Sequence, residues 1–77
     1  MNLSDRIIQD PQICDGQPVF KGTRVTLRTV LATLAEGASE TDVLKDFPTL
    51  HLEDVRAAVS FAARSAAEDL PIPRRAE

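Results

Sequence analysis

Few residues of this 77-residue chain have side chains that carry out acid–base, nucleophilic or metal chemistry. The sequence has one histidine, His51, and one cysteine, Cys14, which excludes a thiolate cluster and an internal disulfide framework. His51 stands at a predicted helix start, and Cys14 has no basic neighbour in sequence that would favour its thiolate. Glu53 and Asp54 fall in the first turn of the same helix, where the helix dipole favours negative charge. We therefore predict a protein that is not an enzyme and that uses no metal and no cofactor.

Basic residues are concentrated in one stretch of an otherwise acidic chain. The formal net charge is −3, yet residues 16–35 carry three basic side chains and no acidic one, whereas residues 36–69 carry eight acidic side chains. A solvated surface and an anion-facing loop both account for this distribution. Basic side chains contact DNA phosphates, so DNA could bind at this basic stretch although the net charge of the chain is negative. The charge distribution therefore restricts the position of a DNA contact and does not exclude one. The candidate DNA-contacting residues are Lys21, Thr23, Arg24, Arg28, Arg56 and Arg64.

The first element that would position these residues is a β element near the N-terminus. Residues 19–21 and 24–26 flank Gly22 and Thr23, and a glycine at the first central position suits a two-residue type II′ hairpin. Residues 7–8 suit a short edge strand before it. The sequence therefore predicts a small β-hairpin near the N-terminus.

Two short helices follow, each with recognisable ends. Thr26 is the expected N-cap of a helix of about 10 residues that ends at Gly37, since glycine adopts the left-handed conformation of a helix terminus. Ser39 and Asp42 form a capping box for a helix of about 8 residues, which Pro48 ends. The predicted apolar faces are Leu27, Val30, Leu31 and Leu34 in the first helix, and Val43, Leu44 and Phe47 in the second.

The third predicted helix is the longest, about 17 residues from His51 or Leu52 onward. Its predicted buried stripe consists of Leu52, Val55, Val59, Ala62 and Ala66. Its predicted solvent-facing side consists of Glu53, Ala57, Ser60 and Arg64. Phe61 falls off the stripe, where it either packs within the chain or contacts a partner. Three helices with a tight turn before a longer last one are typical of a helix-turn-helix domain.

The charge on this helix conflicts with its shape. A helix-turn-helix protein places the first residues of its last helix at base edges in the major groove. Here Glu53 and Asp54 occupy that end and would repel phosphate. The shape therefore favours DNA binding, whereas the acidic helix start favours a protein–protein adaptor or dimerisation module that does not bind DNA.

The predicted fold class is mainly α: a short β-hairpin followed by a three-helix bundle. A chain this short forms one domain, here residues 1–69, with the β element at 1–26 and the bundle at 27–69. A domain with so small a core often gains stability by oligomerising, so we expect a homodimer. No apolar run approaches the roughly 18 residues of a membrane span, and no signal-like segment opens the chain, so a cytoplasmic location is expected.

The C-terminal residues 70–77 form a separate segment. Two prolines stop the last helix there and favour an extended backbone. The segment is either a frayed terminus or an arm that lies in another protein's groove. The residues that would make such contacts are Leu70, Pro71, Ile72, Pro73, Arg74 and Arg75.

Four segments together resemble the domain-of-unknown-function family 433. They are Asp10-Pro11-Gln12-Ile13-Cys14-Asp15-Gly16-Gln17-Pro18-Val19-Phe20-Lys21-Gly22-Thr23-Arg24-Val25, Leu34-Ala35-Glu36-Gly37-Ala38-Ser39, Asp46-Phe47-Pro48-Thr49-Leu50 and Glu53-Asp54-Val55-Arg56-Ala57-Ala58. The resemblance spans about residues 7–67. Its structural positions are Gly16, Pro18, Gly22, Gly37 and Pro48. Asp15 replaces the first glycine of a usual pair, and His51 stands where a capping threonine or serine is usual.

The resemblance implies a homeodomain-like helix-turn-helix domain and an antitoxin-like role in a type II toxin–antitoxin pair. Such antitoxins bind their toxin directly, commonly a nuclease with a PIN-like fold, and repress their own operon through DNA. On this interpretation, residues 70–75 bind the toxin and the basic residues above bind operator DNA.

Overall fold

The computed structural model describes residues 3–69 as two short strands and three α-helices. The strands are β1, Ile7–Ile8, and β2, Val19–Phe20; the helices are α1, Leu27–Ala35, α2, Glu40–Asp46, and α3, Leu52–Asp69. Single 3₁₀ turns cover Leu3–Arg6 and Cys14–Gly16. The predicted fold class is confirmed: an N-terminal antiparallel hairpin precedes three helices, and the chain is mainly helical.

The hairpin pairs different residues from those predicted. β1 and β2 are antiparallel, with Ile7 opposite Phe20 and Ile8 opposite Val19. The predicted pairing of residues 19–21 with 24–26 is reduced to a single bridge between Val19 and Thr26. The edge strand suggested for residues 7–8 is therefore the main partner of β2.

The turn after β2 closes one residue earlier than a type II′ hairpin would. The Thr23 backbone N–H donates to the Phe20 carbonyl at 2.9 Å, so Gly22, with φ +81°, is the third residue of that turn. The Thr23 hydroxyl donates to the same carbonyl at 2.8 Å and accepts from the Val25 N–H at 3.1 Å. The type II′ prediction is wrong because these hydroxyl bonds stabilise the alternative turn.

The predicted caps of α1 and α2 are confirmed. The Thr26 hydroxyl accepts from the Thr29 N–H at 3.2 Å, and Gly37 follows α1 with φ +102°. At α2, the Asp42 N–H donates to the Ser39 hydroxyl and the Asp42 carboxylate accepts from the Ser39 N–H, which completes the capping box. The Ser39 backbone N–H, and to a lesser extent its hydroxyl, lowers the pKa of Asp42 below its ordinary value.

The connection between β1 and β2 contains the position where the family's first glycine is replaced. Asp15 adopts φ +57° there and Gly16 adopts φ +81°. Aspartate tolerates this left-handed backbone better than most residues with a side chain, because its short polar group bonds locally. The Gln9 side-chain amide donates to the Gly16 carbonyl at 3.0 Å and thereby closes the connection.

The core lies where β2 and the first half of α3 meet α1 and α2. Phe20 is the largest fully buried side chain. The other residues of the buried cluster are Leu27, Val30, Val43, Leu50, Val55 and Ala58. Leu31, Leu34, Leu44 and Phe47 are partly buried against it. The apolar faces predicted for α1 and α2 are therefore the faces that pack.

The buried side of α3 differs from the predicted stripe. The buried residues are Asp54, Val55, Ala57 and Ala58. Val59 is instead 50% exposed and Ala66 is exposed, whereas Ala57, expected to face solvent, is buried. The mean direction of the buried residues lies about 100° around the helix from the predicted stripe, the rotation of one residue. Alanines on every side of α3 weaken the hydrophobic pattern, so it did not identify the inward face.

Candidate nucleic-acid and protein interfaces

Three of the predicted DNA-contacting residues lie exposed around one corner of the domain. Lys21 belongs to the turn after β2, Arg24 follows that turn, and Arg28 lies in the first turn of α1. We call these three residues the basic corner. A cavity of about 560 Å³ beside it is lined by Ile13, Gly22, Thr23, Arg24, Val25 and Thr49. Because Thr49 belongs to the connection between α2 and α3, the cavity places Arg24 next to that connection.

Internal hydrogen bonds hold the backbone of the basic corner in place. The Thr23 hydroxyl bonds within its own turn, as described above, so this predicted DNA contact also has a structural role. The Cys14 thiol donates to the Arg24 carbonyl at 3.3 Å, and the Leu27 N–H donates to the Pro18 carbonyl at 2.9 Å. The side chains of Lys21 and Arg24 thus extend from a hydrogen-bonded loop, and that of Arg28 extends from the first turn of α1.

The two arginines predicted on α3 lie in different surroundings. Arg56 Nε is 3.5 Å from Glu40 Oε2, and both side chains are largely exposed, so this ion pair contributes little. Arg64 is exposed eight residues further along, which is about 12 Å along the helix axis. Arg56 therefore lies at the start of α3 near α2, and Arg64 lies on the outer half of α3.

The start of α3 contains a buried charge where the sequence predicts an exposed one. Asp54 is 2% exposed; its Oδ1 accepts from Arg6 Nε at 2.6 Å, and its Oδ2 accepts from the His51 N–H at 2.8 Å. The hydrogen bond to Asp54 raises the pKa of Arg6 above its ordinary value. His51 itself is exposed, so Asp54 makes the reciprocal bond of a capping box there. Of the two acidic residues expected to face DNA, only Glu53 remains partly exposed.

The pairing of Arg6 with Asp54 joins residues 48 positions apart in the sequence. Asp54 stands at the third position of α3, where a capping carboxylate is common, and this local signal identifies its bond to His51. Nothing local indicates Arg6 as its partner, since that contact depends on the turn at Leu3–Arg6 packing against α3.

The outer half of α3, residues 59–69, exposes two large apolar side chains. Val59 is 50% exposed and Phe61 is 45% exposed. Successive helical residues are about 100° apart, so these two side chains emerge on nearly opposite sides of α3. The tail at 70–77, including the predicted toxin contacts Leu70, Pro71, Ile72, Pro73, Arg74 and Arg75, lies outside the described residues.

The conformational roles of the structural positions match their residue types. Gly16, Gly22 and Gly37 all have positive φ, and Pro48 follows α2 in the connection to α3.

Within residues 3–69, no three or more His, Cys, Asp or Glu side chains cluster closely enough to hold a metal ion. None of the helices in that part of the chain combines the length and apolar character that a membrane crossing requires.

This architecture and these surfaces define a small, mainly helical domain with an N-terminal hairpin. Residues 7–62 match the family described as "Protein of unknown function (DUF433)". The match covers more than half of the chain, and the chain belongs to this family.

Two relatives support this assignment. A solved structure, that of a DUF433 member protein from Anabaena variabilis, superposes with a TM-score of 0.73 at 29% identity, over 86% of this chain and 65% of that one. A curated relative, the uncharacterized protein y4eO of Sinorhizobium fredii, is 38% identical over 56 residues, which are 73% of this chain. The matched segment is only 25% of the length of y4eO.

Proposed function

We propose that this protein is a non-enzymatic, antitoxin-like binding protein of the cytoplasm, which neutralises a toxin by direct contact. The observation that carries the proposal is the exposure of Phe61 on the outer half of α3. Phenylalanine is large and apolar, and exposed aromatic side chains serve as anchors in protein–protein interfaces more often than charged ones do. A helix that presents such an anchor suits docking into an apolar groove of a partner.

The position of Phe61 fits a binding segment that continues into the tail. α3 is helical to Asp69, and the apolar residues Leu70 and Ile72 follow directly in the sequence. A helix followed by prolines loses little conformational entropy when it binds, because the helical backbone is already ordered and each proline fixes its own φ. The resemblance described above suggests a nuclease with a PIN-like fold as the partner.

Removal of residues 70–77 tests this proposal. We expect the full chain to co-purify with a tagged PIN-like nuclease encoded beside its gene, and the truncated chain to lose most of this co-purification. The matched control, Arg74→Ala with Arg75→Ala, separates the apolar contribution of the tail from its charge. Retention of the nuclease by the truncated chain would contradict a role for the tail, and a neighbouring gene that encodes no nuclease would contradict the partner.

DNA binding is a second candidate function, favoured by the basic corner. Lys21, Arg24 and Arg28 are exposed in a stretch without acidic residues, and Arg24 lines a cavity that also reaches Thr49 between α2 and α3. The burial of Asp54 removes one of the two negative charges that opposed this function. Operator binding through phosphates would let the protein repress its own operon. The acidic residues of α2 favour the alternative, an adaptor that does not bind DNA.

Substitution of Arg24 and Arg28 by alanine tests DNA binding. Each phosphate contact removed reduces the slope of log affinity against log salt concentration by about one, so the double variant should reduce that slope by about two. Its affinity at low salt should fall by roughly tenfold or more. A gel-shift titration against the DNA upstream of the gene measures both. Lys45→Ala, at an exposed position of α2, is the matched control. Unchanged affinity and slope, or no binding by the wild-type chain, would favour the adaptor.

A further inference from the structure

The open cavity beside the basic corner combines apolar and polar lining residues. Its volume is about 560 Å³, within the roughly 300–1,000 Å³ of clefts that bind small molecules. Ile13 and Val25, which line it, are partly buried, whereas Arg24 and Thr49, which also line it, are exposed. A concave apolar surface next to a guanidinium and a hydroxyl fits a group that has an apolar part and a negatively charged part.

The polar groups of this cavity have hydrogen-bonding capacity to spare. In the part of the chain that the structure describes, the Arg24 guanidinium forms no ion pair and the Thr49 hydroxyl forms no hydrogen bond, whereas Arg6 and Arg56 each pair with a carboxylate. The planar fork of N–H donors on arginine matches the two oxygens of a carboxylate. Arg24 is therefore suited to bind a carboxylate that another molecule supplies.

We propose that this cavity is the docking site for a short acidic segment of a partner protein. An apolar side chain of the segment enters the cavity between Ile13 and Val25, and a neighbouring carboxylate accepts two hydrogen bonds from the Arg24 guanidinium. The Thr49 hydroxyl donates a further hydrogen bond to the segment. The other two cations of the basic corner are exposed and lie within four residues of Arg24, so they attract additional carboxylates of the segment.

The cavity and the charges around it favour a protein segment over a DNA duplex. A duplex presents continuous rows of phosphates and no apolar side chain that would fill a concave cavity. Exposed carboxylates also stand close in sequence to two lining residues: Asp15 is two residues from Ile13, and Asp46 is three residues from Thr49. These carboxylates limit the positive potential to the side of the basic corner, so a short segment with one or two carboxylates fits better than a long polyanion.

This inference goes beyond the proposed function and does not depend on it. Phe61, the anchor assigned to the nuclease, lies on the outer half of α3 and is not a lining residue of the cavity. DNA and the acidic segment would compete for Arg24, because one guanidinium fork binds either a carboxylate or a phosphate.

Peptide display on the full chain tests the site. We expect a random heptapeptide library selected against the wild type to yield peptides that place a large apolar residue next to aspartate or glutamate. The same selection against Thr49→Trp should not yield them, because the indole fills the cavity from an exposed position and leaves every charge in place. Recovery of no such peptide by the wild type, or of the same peptides by both proteins, would overturn the proposal.

Fluorescence anisotropy of a selected peptide measures the contribution of each group. Arg24→Ala should weaken binding by about tenfold or more, because it removes a charge-assisted pair of hydrogen bonds, and Thr49→Trp should weaken it by a similar factor. Both residues are exposed, so both variants should melt close to the wild type. The control Lys45→Ala, which removes a charge from α2, should change the affinity by less than about twofold. Weaker binding by Arg24→Ala but not by Thr49→Trp would overturn the proposal in favour of anion binding by charge alone, as in a DNA contact.

Discussion

Asp54→Ala is expected to lower the free energy of unfolding by about 3 kcal/mol, enough to shift the melting temperature by roughly 15 °C in a domain of this size. The Asp54 side chain is 2% exposed, and its two oxygens accept from Arg6 Nε at 2.6 Å and from the His51 N–H at 2.8 Å. The substitution removes both bonds at once. It thereby loses the tie between the N-terminal turn and α3, and the cap of α3.

Thermal and urea unfolding followed by circular dichroism measure this effect. Glu53→Ala is the matched control, since it removes a neighbouring carboxylate that is partly exposed; we expect a change of at most about 0.5 kcal/mol. Asp54→Asn should fall between the two, because an amide oxygen still accepts one bond. If Asp54→Ala were as stable as the wild type, the buried pair would not tie the N-terminus to α3.

Phe61→Ser is expected to weaken binding of the nuclease partner by about 30-fold or more, which corresponds to the roughly 2 kcal/mol that defines an interface hot spot. Phe61 is 45% exposed, so its loss removes little from the folded domain, and the melting temperature should stay close to that of the wild type. The expected result is therefore a large change in affinity with a small change in stability. Isothermal titration of the purified nuclease into the variant measures the first quantity.

Val59→Ser is the matched control for this prediction. It removes an apolar side chain of similar exposure from the opposite side of the same helix. We expect it to bind the nuclease as the wild type does. Equal affinity of Phe61→Ser and the wild type would show that the exposed phenylalanine is not an anchor, and the proposed function would then depend on the tail alone.

Local signals predicted most of the elements. Thr26 predicts the start of α1, and the pair Ser39 and Asp42 predicts the start of α2. A helix cap is a hydrogen bond between residues three apart in sequence, so it depends little on the rest of the fold. The spacing of apolar residues in α1 and α2 likewise predicted which face packs, since large and polar residues alternate clearly there. The prediction of a type II′ turn after β2 was wrong because hydrogen bonds of the Thr23 hydroxyl stabilise a different turn. A rule based on the position of glycine does not take those bonds into account.

The orientation of α3 shows where local signals end. Its many alanines are compatible with either a buried or an exposed position, so several faces of the helix match an apolar stripe. Burial of Asp54 instead of Val59 distinguishes between them, and that burial depends on Arg6, 48 residues earlier. From the sequence alone, Asp54 is therefore expected to face DNA. The same rotation leaves Val59 exposed.

The sequence by itself determined the fold class, the family, the helix ends and the basic corner, since each depends on residues that lie close together along the chain. Only the tertiary structure decided which side of α3 faces inward, which carboxylate is buried and which apolar side chains remain at the surface. Those features depend on contacts between the N-terminal turn and α3, and their free energies come from burial and charge pairing over long sequence separations. No pattern within a single helix contains that information.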